Sequence, residues 1–327
     1  MKAVVITKPG GPEVLEVRDV PAPEPQGDQI LVRVRASGLN RADLMQTRGY
    51  YPAPPGVPAD IPGLEFAGEV EALGPGVTGP LRVGQRVFGI VSGGGMAERL
   101  VTPERMAVPI PANLSFEEAA AVPEVFLTAQ DALETQACVR PGEQVLIHAV
   151  GSGVGTAACQ IAHAMGCTVF GTSRTASKLE RAAEYGLDVA INTATEDFAA
   201  VIAARTDGAG VDVIVDLIGA AAMAANSTAM AVCGRMVLVG LLGGGSATVD
   251  LSVMLRKRLT VIGTTLRARP LEEKIAVTRQ FAARVVPWLG RGLVRPVLDS
   301  VFAIEDVCAA EQRLESNLGF GKIVLRL

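Results

Sequence analysis

The hydrophobic pattern of the chain changes character near residue 115. Before that point short apolar runs alternate with turns: Ala3–Ile6, Ile30–Ala36, Glu65–Leu73, Gln85–Ile90 and Ala97–Val101 read as β-strands, and clusters such as Pro9-Gly10-Gly11 and Gly74-Pro75-Gly76 punctuate them. Short strands with Pro- and Gly-rich turns predict a small, irregular β-barrel. Ser115-Phe116-Glu117-Glu118 then carries the signature of a helix start, with Ser115 as N-cap and Glu118 at the capping-box position. From Gln144 onward continuously apolar strands are predicted at Val145–Ala149, Thr168–Thr172, Val189–Asn192, Val213–Leu217, Met236–Leu241 and Leu259–Gly263. The helices between them begin near Gly153, Thr175, Glu196, Ala221 and Leu251. Strands apolar on both faces and separated by crossover helices imply a parallel sheet covered on both sides, and six of them are what a complete dinucleotide fold needs. A long helical stretch follows Leu266, and β-type runs return at Val297–Phe302 and Lys322–Leu327. The tail is therefore expected to rejoin the first domain, with the α/β unit inserted between its two pieces.

Composition narrows this picture. The chain has 327 residues, enough for about two domains, with 49% apolar and 20% charged residues and 36 glycines. The formal net charge is −4 and no basic tract exceeds Arg256-Lys257-Arg258, so nucleic acid is not an expected partner. Met1–Thr7 reads as a strand rather than a signal peptide, and no segment offers about 20 continuous apolar residues for a membrane span. These features suggest a cytoplasmic protein. Five cysteines (138, 159, 167, 233 and 308) are scattered singly, which argues for buried packing rather than disulfides or a zinc cage.

The candidate chemistry begins at His148-Ala-Val-Gly-Ser-Gly-Val-Gly155, which follows a strand and opens a helix. A Gly-rich turn there lets backbone approach a pyrophosphate, and the helix N-terminus offers N–H donors. The strict GxGxxG spacing is not matched: aligned on Gly155, its three positions are Val150, Ser152 and Gly155. The strand–helix context is what gives the loop weight. His148 closes a buried strand and reads as a histidine satisfied by hydrogen bonds. An NAD site usually places Asp or Glu at the end of the second strand. Here that strand runs into Ser173-Arg174-Thr175-Ala-Ser-Lys178, with hydroxyls and cations and no acid. Such groups suit an adenosine 2′-phosphate, so NADPH is the expected cofactor.

Several stretches together carry a family resemblance: Lys8-Pro-Gly-Gly-Pro-Glu13, Leu39-Asn-Arg-Ala-Asp-Leu-Met-Gln46, Gly63-Leu-Glu-Phe-Ala-Gly68, Ala121-Val-Pro-Glu124, Leu127-Thr-Ala129, the 148–157 loop, Asp216-Leu-Ile-Gly219, Gly240-Leu-Leu-Gly-Gly-Gly245 and Gly321-Lys-Ile-Val-Leu325. The chain resembles the medium-chain dehydrogenase/reductases of the quinone-oxidoreductase (zeta-crystallin-like) branch, and within it the tumour-suppressor-inducible quinone oxidoreductase subgroup. The resemblance implies an α/β fold in which a doubly wound Rossmann domain (125–266) interrupts a discontinuous GroES-like β-barrel catalytic domain (1–124 and 267–327). Zinc-dependent relatives carry Cys where this chain has Asn40 and His where it has Leu64, and a four-cysteine lobe near Gly93–Val101, where this chain has no cysteine. Neither ligand set can be assembled here, so a metal is not expected.

Without a Lewis acid the acceptor must already be activated by conjugation. A quinone fits, because the hydroquinone anion it forms is delocalised and does not demand a strong dedicated acid; orientation and exclusion of water become the protein's task. The resemblance places Asn40, Asp43 and Tyr51 as catalytic candidates and Gln46, Tyr51 and Leu266 around the acceptor, with Tyr50 adjacent to Tyr51. For the cofactor it implies Asn40, Thr128, Ser152, Gly153, Val154, Ser173, Arg174, Lys178, Thr193, Gly240, Leu241, Leu242, Thr265, Leu266, Asn317 and Lys322. Thr193 departs from a tyrosine common in close relatives. The expected activity is hydride transfer from NADPH to a quinone. The alternatives are reduction of an enone or enoyl thioester, to whose coenzyme A channel Arg267 and Arg269 could contribute, and a non-catalytic role for a retained NADPH site. The apolar edge strand Leu259–Thr264 suggests a homodimer.

Overall fold

Alternating apolar positions become strands wherever a partner edge buries them, and here they form fifteen. In chain order they are β1 (Lys2–Ile6), β2 (Leu15–Asp19), β3 (Gln29–Gly38), β4 (Glu65–Leu73), β5 (Arg86–Ile90), β6 (Arg99–Pro103), β7 (Ala107–Pro109), β8 (Gln144–Ile147), β9 (Thr168–Ser173), β10 (Val189–Asn192), β11 (Val211–Asp216), β12 (Met230–Leu238), β13 (Thr260–Gly263), β14 (Leu298–Ala303) and β15 (Lys322–Arg326). The α-helices are α1 (Arg41–Thr47), α2 (Phe116–Ala120), α3 (Pro123–Gln130), α4 (Gly153–Ala164), α5 (Ala176–Ala182), α6 (Phe198–Arg205), α7 (Met223–Ala229), α8 (Leu251–Lys257), α9 (Leu271–Gly290) and α10 (Val307–Glu315). The computed structural model describes all 327 residues. The chain forms two compact units, one of Met1–Leu127 with Leu266–Leu327 and one of Thr128–Thr265.

In the first unit seven strands follow an open path, β14-β15-β3-β4-β5-β7, with β6 also on β3. The long strand β3 carries β4 along one edge; β6 and β15 share the other, β6 opposite Gln29–Arg33 and β15 opposite Ala36–Gly38. No pairing joins the ends of this path, so the barrel expected from the sequence is not closed by backbone hydrogen bonds. The short hairpin of β1 and β2 stands apart as its own two-stranded sheet. One consequence matters for the site. Antiparallel pairing of Val324 with Gly38, and the bond from Leu39 N to Ile323 O at 2.9 Å, set Lys322 of the C-terminal strand beside Asn40. Helix α2 starts as the sequence predicts: Ser115 Oγ accepts from Glu118 N, and Glu118 accepts from Ser115 N.

The second unit is a six-stranded parallel sheet in the order β10-β9-β8-β11-β12-β13. Strand order reverses between β8 and β11, which is the arrangement of the doubly wound dinucleotide fold. Because every strand is parallel, the loops that follow β8, β9, β10, β12 and β13 leave the same edge of the sheet. Continuous burial of Val145–Ile147 and Val213–Val215 reflects helices on both faces. Helix α4 packs so closely on the turn after β8 that a Cβ at Gly155 would lie 2.4 Å from Ala149 O and 2.8 Å from Val150 Cα.

Three details depart from the sequence pattern. Strands β2 and β7 and helices α1 and α10 were not among the elements expected from the sequence. Strand β12 begins at Met230, six residues before its predicted start, and is interrupted by Cys233 at φ 63°. Of the five cysteines, expected to be buried, Cys159 and Cys167 are; Cys308 is intermediate, and Cys138 and Cys233 are exposed and, like the others, free. Apolar sequence neighbours were a poor guide there, since Cys138 sits past the end of a helix and Cys233 in the irregular stretch of β12.

Replacing Gly155 with Ala should cost about 1–3 kcal/mol, the usual range for forcing extra volume into close packing. Chemical denaturation followed by circular dichroism reads this directly; a midpoint equal to that of the unsubstituted protein would show that α4 can move away freely.

Candidate active site

The densest polar cluster of the first unit is built where β3 and β15 run out. Lys322 and Glu65 are 4% and 0% exposed, and Lys322 Nζ lies 2.6 Å from Glu65 Oε1. The remaining ammonium hydrogens go to Asn40 Oδ1 at 2.7 Å and Leu39 O at 2.5 Å. Glu65 also accepts from Asn40 Nδ2 at 2.9 Å and, through Oε2, from the Glu124 backbone N at 2.8 Å. Two opposite charges are thus buried together with their hydrogen-bonding capacity filled, which is the condition for tolerating charge in a core. Gly38 leaves the room: a Cβ there would meet Glu65 Oε1 at 2.4 Å and Ala120 O at 2.6 Å.

Asp43 is fully buried on α1 and accepts from Asn40 N at 2.7 Å and Gly63 N at 3.1 Å. Burial pushes its carboxyl up to about 6 against the pull of those backbone donors and of Lys322. Both oxygens therefore hold backbone, fixing α1 to the turn at Gly63, whose φ is 104°. Glu311 of α10 is fully buried as well and accepts from Thr47 Oγ1 at 3.2 Å, while its Oε2 has no partner. Burial, then the Asp43 charge, raises it to about 8.

A second group of residues surrounds Tyr51. The Arg267 guanidinium lies over its ring at 4.9 Å and donates to Tyr51 O at 3.0 Å, to Ser92 O at 2.8 Å and to Gln46 Oε1 at 2.5 Å. Gln46 Nε2 donates in turn to Ala59 O at 3.1 Å. Burial raises the Tyr51 hydroxyl, with Arg267 opposing and Glu124 adding to it. Tyr51 is half-buried, whereas Tyr50 is 73% exposed and turned to solvent. Leu266 is buried in the same unit. Arg267, weighed from sequence as a coenzyme A contact, is itself 6% exposed and committed to the loop around Tyr51.

The cofactor candidates are distributed over both units. In the second, Ser152 caps α4 by accepting from Gly155 N at 3.0 Å, and the Gly153 and Val154 N–H groups open the helix without intrahelical acceptors. Ser173 ends β9 and accepts from Thr175 N at 3.1 Å; Arg174 is exposed and Lys178 lies one turn into α5. Thr193 follows β10, and Gly240, Leu241 and Leu242 follow β12, with Leu241 59% and Leu242 51% exposed. Thr265 follows β13, and Thr128 sits on α3. A dinucleotide fits this edge: the close α4 approach needs Gly155, and donors with no acid stand at the end of β9. In the first unit Asn317, at φ 57°, accepts from Arg41 Nη2 at 2.6 Å. Lys322 has all three donors engaged within its cluster, on Leu39 O, Asn40 Oδ1 and Glu65 Oε1.

His148 is not part of a reactive set. Its ring bonds Thr172 Oγ1 at 2.8 Å and Asn226 Oδ1 at 2.7 Å, with Phe198 edge-on, and burial lowers its basicity. No group of three or more His, Cys, Asp and Glu side chains is placed to hold a metal ion. Glu65, Glu124 and the positioning role of Arg267 were not foreseen from the sequence. A partial signal existed for the first: Glu65 and Lys322 each open a strand beside a buried apolar run, and a charge at such a position needs a partner.

Comparison with known proteins places the chain in a family. Residues 26–112 match the alcohol dehydrogenase GroES-like domain, and 153–283 match the zinc-binding dehydrogenase family. A quinone oxidoreductase from Lama guanicoe is 32% identical over 330 residues, covering 100% of this chain and 98% of its own. The chain is a zinc-independent medium-chain dehydrogenase/reductase of the quinone-oxidoreductase type. The zinc-binding name attaches to a segment that contains neither Asn40 nor Leu64, so it carries no ligand information for this member. Two solved structures match full length: an NAD-dependent alcohol dehydrogenase (TM-score 0.88, 32% identity, 100% of each chain) and a mycobacterial protein complexed with NADPH (TM-score 0.90, 28% identity, 100% of each chain). This reductase therefore moves hydride between an NAD(P)H cofactor and a small acceptor, and no helix in it is long and apolar enough to cross a membrane.

The buried carboxyls give the reductase a defined pH dependence. Glu311 holds its proton in the folded state up to about 8, whereas an unfolded Glu releases it near 4.3. Between those values the unfolded chain binds fewer protons, so stability is fully present below about 4.3 and declines as pH rises toward 8. Glu311→Gln removes this loss, and its urea midpoint should fall less than that of the unsubstituted protein between pH 5 and pH 8. Equal falls would mean that Glu311 titrates normally.

Proposed function

We propose that this protein is an NADPH-dependent quinone oxidoreductase that works without a metal, and that it belongs with the tumour-suppressor-inducible subgroup. The observation that carries the reading is the Asn40–Glu65–Lys322 cluster. At the two positions where a catalytic metal would need Cys and His, the chain has Asn40, bonded into a closed ion-pair network, and the apolar Leu64. The acceptor carbonyl must then be reactive before it binds, and a quinone meets that condition because reduction makes its ring aromatic. The reduced nicotinamide supplies the hydride. The chain's contribution is orientation and exclusion of water.

In this reading Tyr51 offers a flat, half-buried ring to a planar acceptor and a hydroxyl to the oxygen where charge develops. Gln46 and Arg267 hold that ring in place, and Leu266 adds apolar surface. Asn40 orients the nicotinamide, with Lys322 and Asp43 fixing Asn40 and its helix. Ser152, Gly153 and Val154 bind the pyrophosphate, and Ser173, Arg174 and Lys178 bind the 2′-phosphate. Thr193 borders the adenosine phosphate. Thr128, Gly240, Leu241, Leu242, Thr265 and Asn317 complete the dinucleotide contacts. The involvement of Arg267 with Tyr51 and Gln46 weighs against reduction of a coenzyme A thioester, since that cation is already in use.

NADPH oxidation followed with 1,2-naphthoquinone, a simple enone and crotonyl-CoA tests the reading; turnover of the thioester alone would overturn it. Arg174→Ala should reduce the preference for NADPH over NADH by about tenfold or more, the value of one charge-assisted hydrogen bond, with little change in the NADH rate. An unchanged preference would remove the 2′-phosphate argument.

The protein is further proposed to be a cytoplasmic homodimer paired through β13. This strand is the outer one of its sheet, Val261 on it is 37% exposed, and Leu251 and Leu255 of neighbouring α8 are 73% and 79% exposed. An unpaired apolar edge favours addition of a second strand. Light scattering should give twice the chain mass, and Val261→Lys should give a monomer; a monomeric parent protein would refute the pairing.

A further inference from the structure

Glu124 is the one acidic side chain of the first unit's polar cluster whose carboxyl makes no hydrogen bond. Its backbone N is fixed to Glu65 Oε2 at 2.8 Å, which anchors the residue at the start of α3. Its side chain keeps partial contact with solvent. The charges that act on it most strongly are Glu65 on β4, Lys322 on β15, Asp43 on α1 and Arg267 before α9. Reciprocally, the Glu124 charge raises Tyr51, on the loop after α1, and Lys274 on α9. Geometrically the residue shares Glu65 with Asn40, the side chain proposed to orient the nicotinamide: Glu65 accepts from Glu124 N through one oxygen and from Asn40 Nδ2 at 2.9 Å through the other. Its neighbours Glu65 and Asp43 have their oxygens filled by hydrogen bonds.

We propose that Glu124 is the acid that delivers a proton to the reduced acceptor. This inference rests on the quinone-reductase reading. Hydride addition places two electrons and one hydrogen on the quinone and leaves an oxyanion. The Glu124 O–H bond breaks, its proton joins that oxygen to complete the hydroquinone, and the carboxylate left behind regains a proton from solvent through its exposed side. No further oxidant or reductant is needed.

The acid strength suits the step. Burial and the facing Glu65 push the Glu124 carboxyl up to about 8, so it still carries its proton at neutral pH, when an ordinary Glu near 4.3 would have none to give. A phenolic oxygen has a pKa of about 10, so transfer from Glu124 runs downhill, and an acid near the working pH is the most effective donor. The delocalised quinone product does not demand a strong acid, and Glu124 is a weak one. The general acid also needs a route to reload, which a fully buried carboxyl such as Asp43 lacks.

Glu124→Gln and Glu124→Asp test this in the full-length protein with NADPH and 1,2-naphthoquinone. The unsubstituted enzyme should lose kcat as pH rises through about 8. Glu124→Gln should be slower at pH 7 by about tenfold or more, toward the low end of general-acid effects because the product anion is stabilised, and should lose that alkaline limb. Glu124→Asp should keep the limb with a reduced rate. Carbon-13 NMR of glutamate-labelled protein should show one carboxyl titrating near 8 that disappears in Glu124→Gln. Retention of the parent rate and limb in Glu124→Gln, or a Glu124 carboxyl titrating near 4–5, overturns the inference while leaving the quinone reading intact. Failure of the unsubstituted enzyme to reduce any quinone overturns both.

Discussion

The buried pairing of Lys322 with Glu65 is the constraint on which the candidate site depends. Taking both ions out of water costs several kcal/mol each, and their attraction offsets this only if the remaining donors and acceptors are filled. Here they are: Asn40, Leu39 and the Glu124 backbone complete the shell. The pair also joins three distant parts of the chain, since β4, the end of β3 and the C-terminal strand must all be in register for it to form. Truncating either partner would leave an isolated buried charge, which is the expensive case, so the pair acts as a registry device as much as a source of stability.

Around that pair the first unit separates two kinds of carboxyl. Glu65 and Asp43 have their oxygens engaged and hold backbone and side chains in place. Glu124 is raised by the same low-dielectric surroundings yet bonded to nothing, and Glu311 has one filled oxygen and one orphan. A set of neighbouring acids pushed apart in this way is how one site can contain both a fixed structural charge and a group able to give up a proton at neutral pH. The second unit contributes little of this kind. Its candidate cofactor edge rests on a helix N-terminus brought close by Gly155, with the exposed Arg174 just beyond β9.

Much of the fold was legible from pattern alone. The six strands of the parallel sheet lie within a few residues of their predicted positions because each is apolar on both faces, a signal independent of its partners. β10 matches end to end, whereas β12 starts six residues early: Gly234-Arg235 splits its apolar residues in two, and pairing with β11 carries the strand across that break with a register shift. The Ser115 cap was equally visible, being entirely local. The short helix α1 was not: its Asn40-x-x-Asp43 cap is local, but seven residues are too few to show a helical period, and the bond from Gly63 N that ties it to the next segment is not local. The closed barrel did not appear either, since strand alternation says which face is buried but not which edge is paired.

For the site, the sequence by itself determined which chemistry is available. Asn40 and Leu64 deny a tetrahedral ligand set, and Ser173-Arg174-Thr175 offers a cation and two hydroxyls where an acid would otherwise stand. Those are statements about residue identity, which no fold can alter. Only the tertiary structure decided which charges meet. Lys322 lies 257 residues from Glu65, and Arg267 lies 216 from Tyr51, so neither contact has a local signature. Burial, and with it the proton affinity of Asp43, Glu124 and Glu311, is likewise a property of what the folded chain packs around each group. The sequence named the carboxyls; the fold set which of them stay charged.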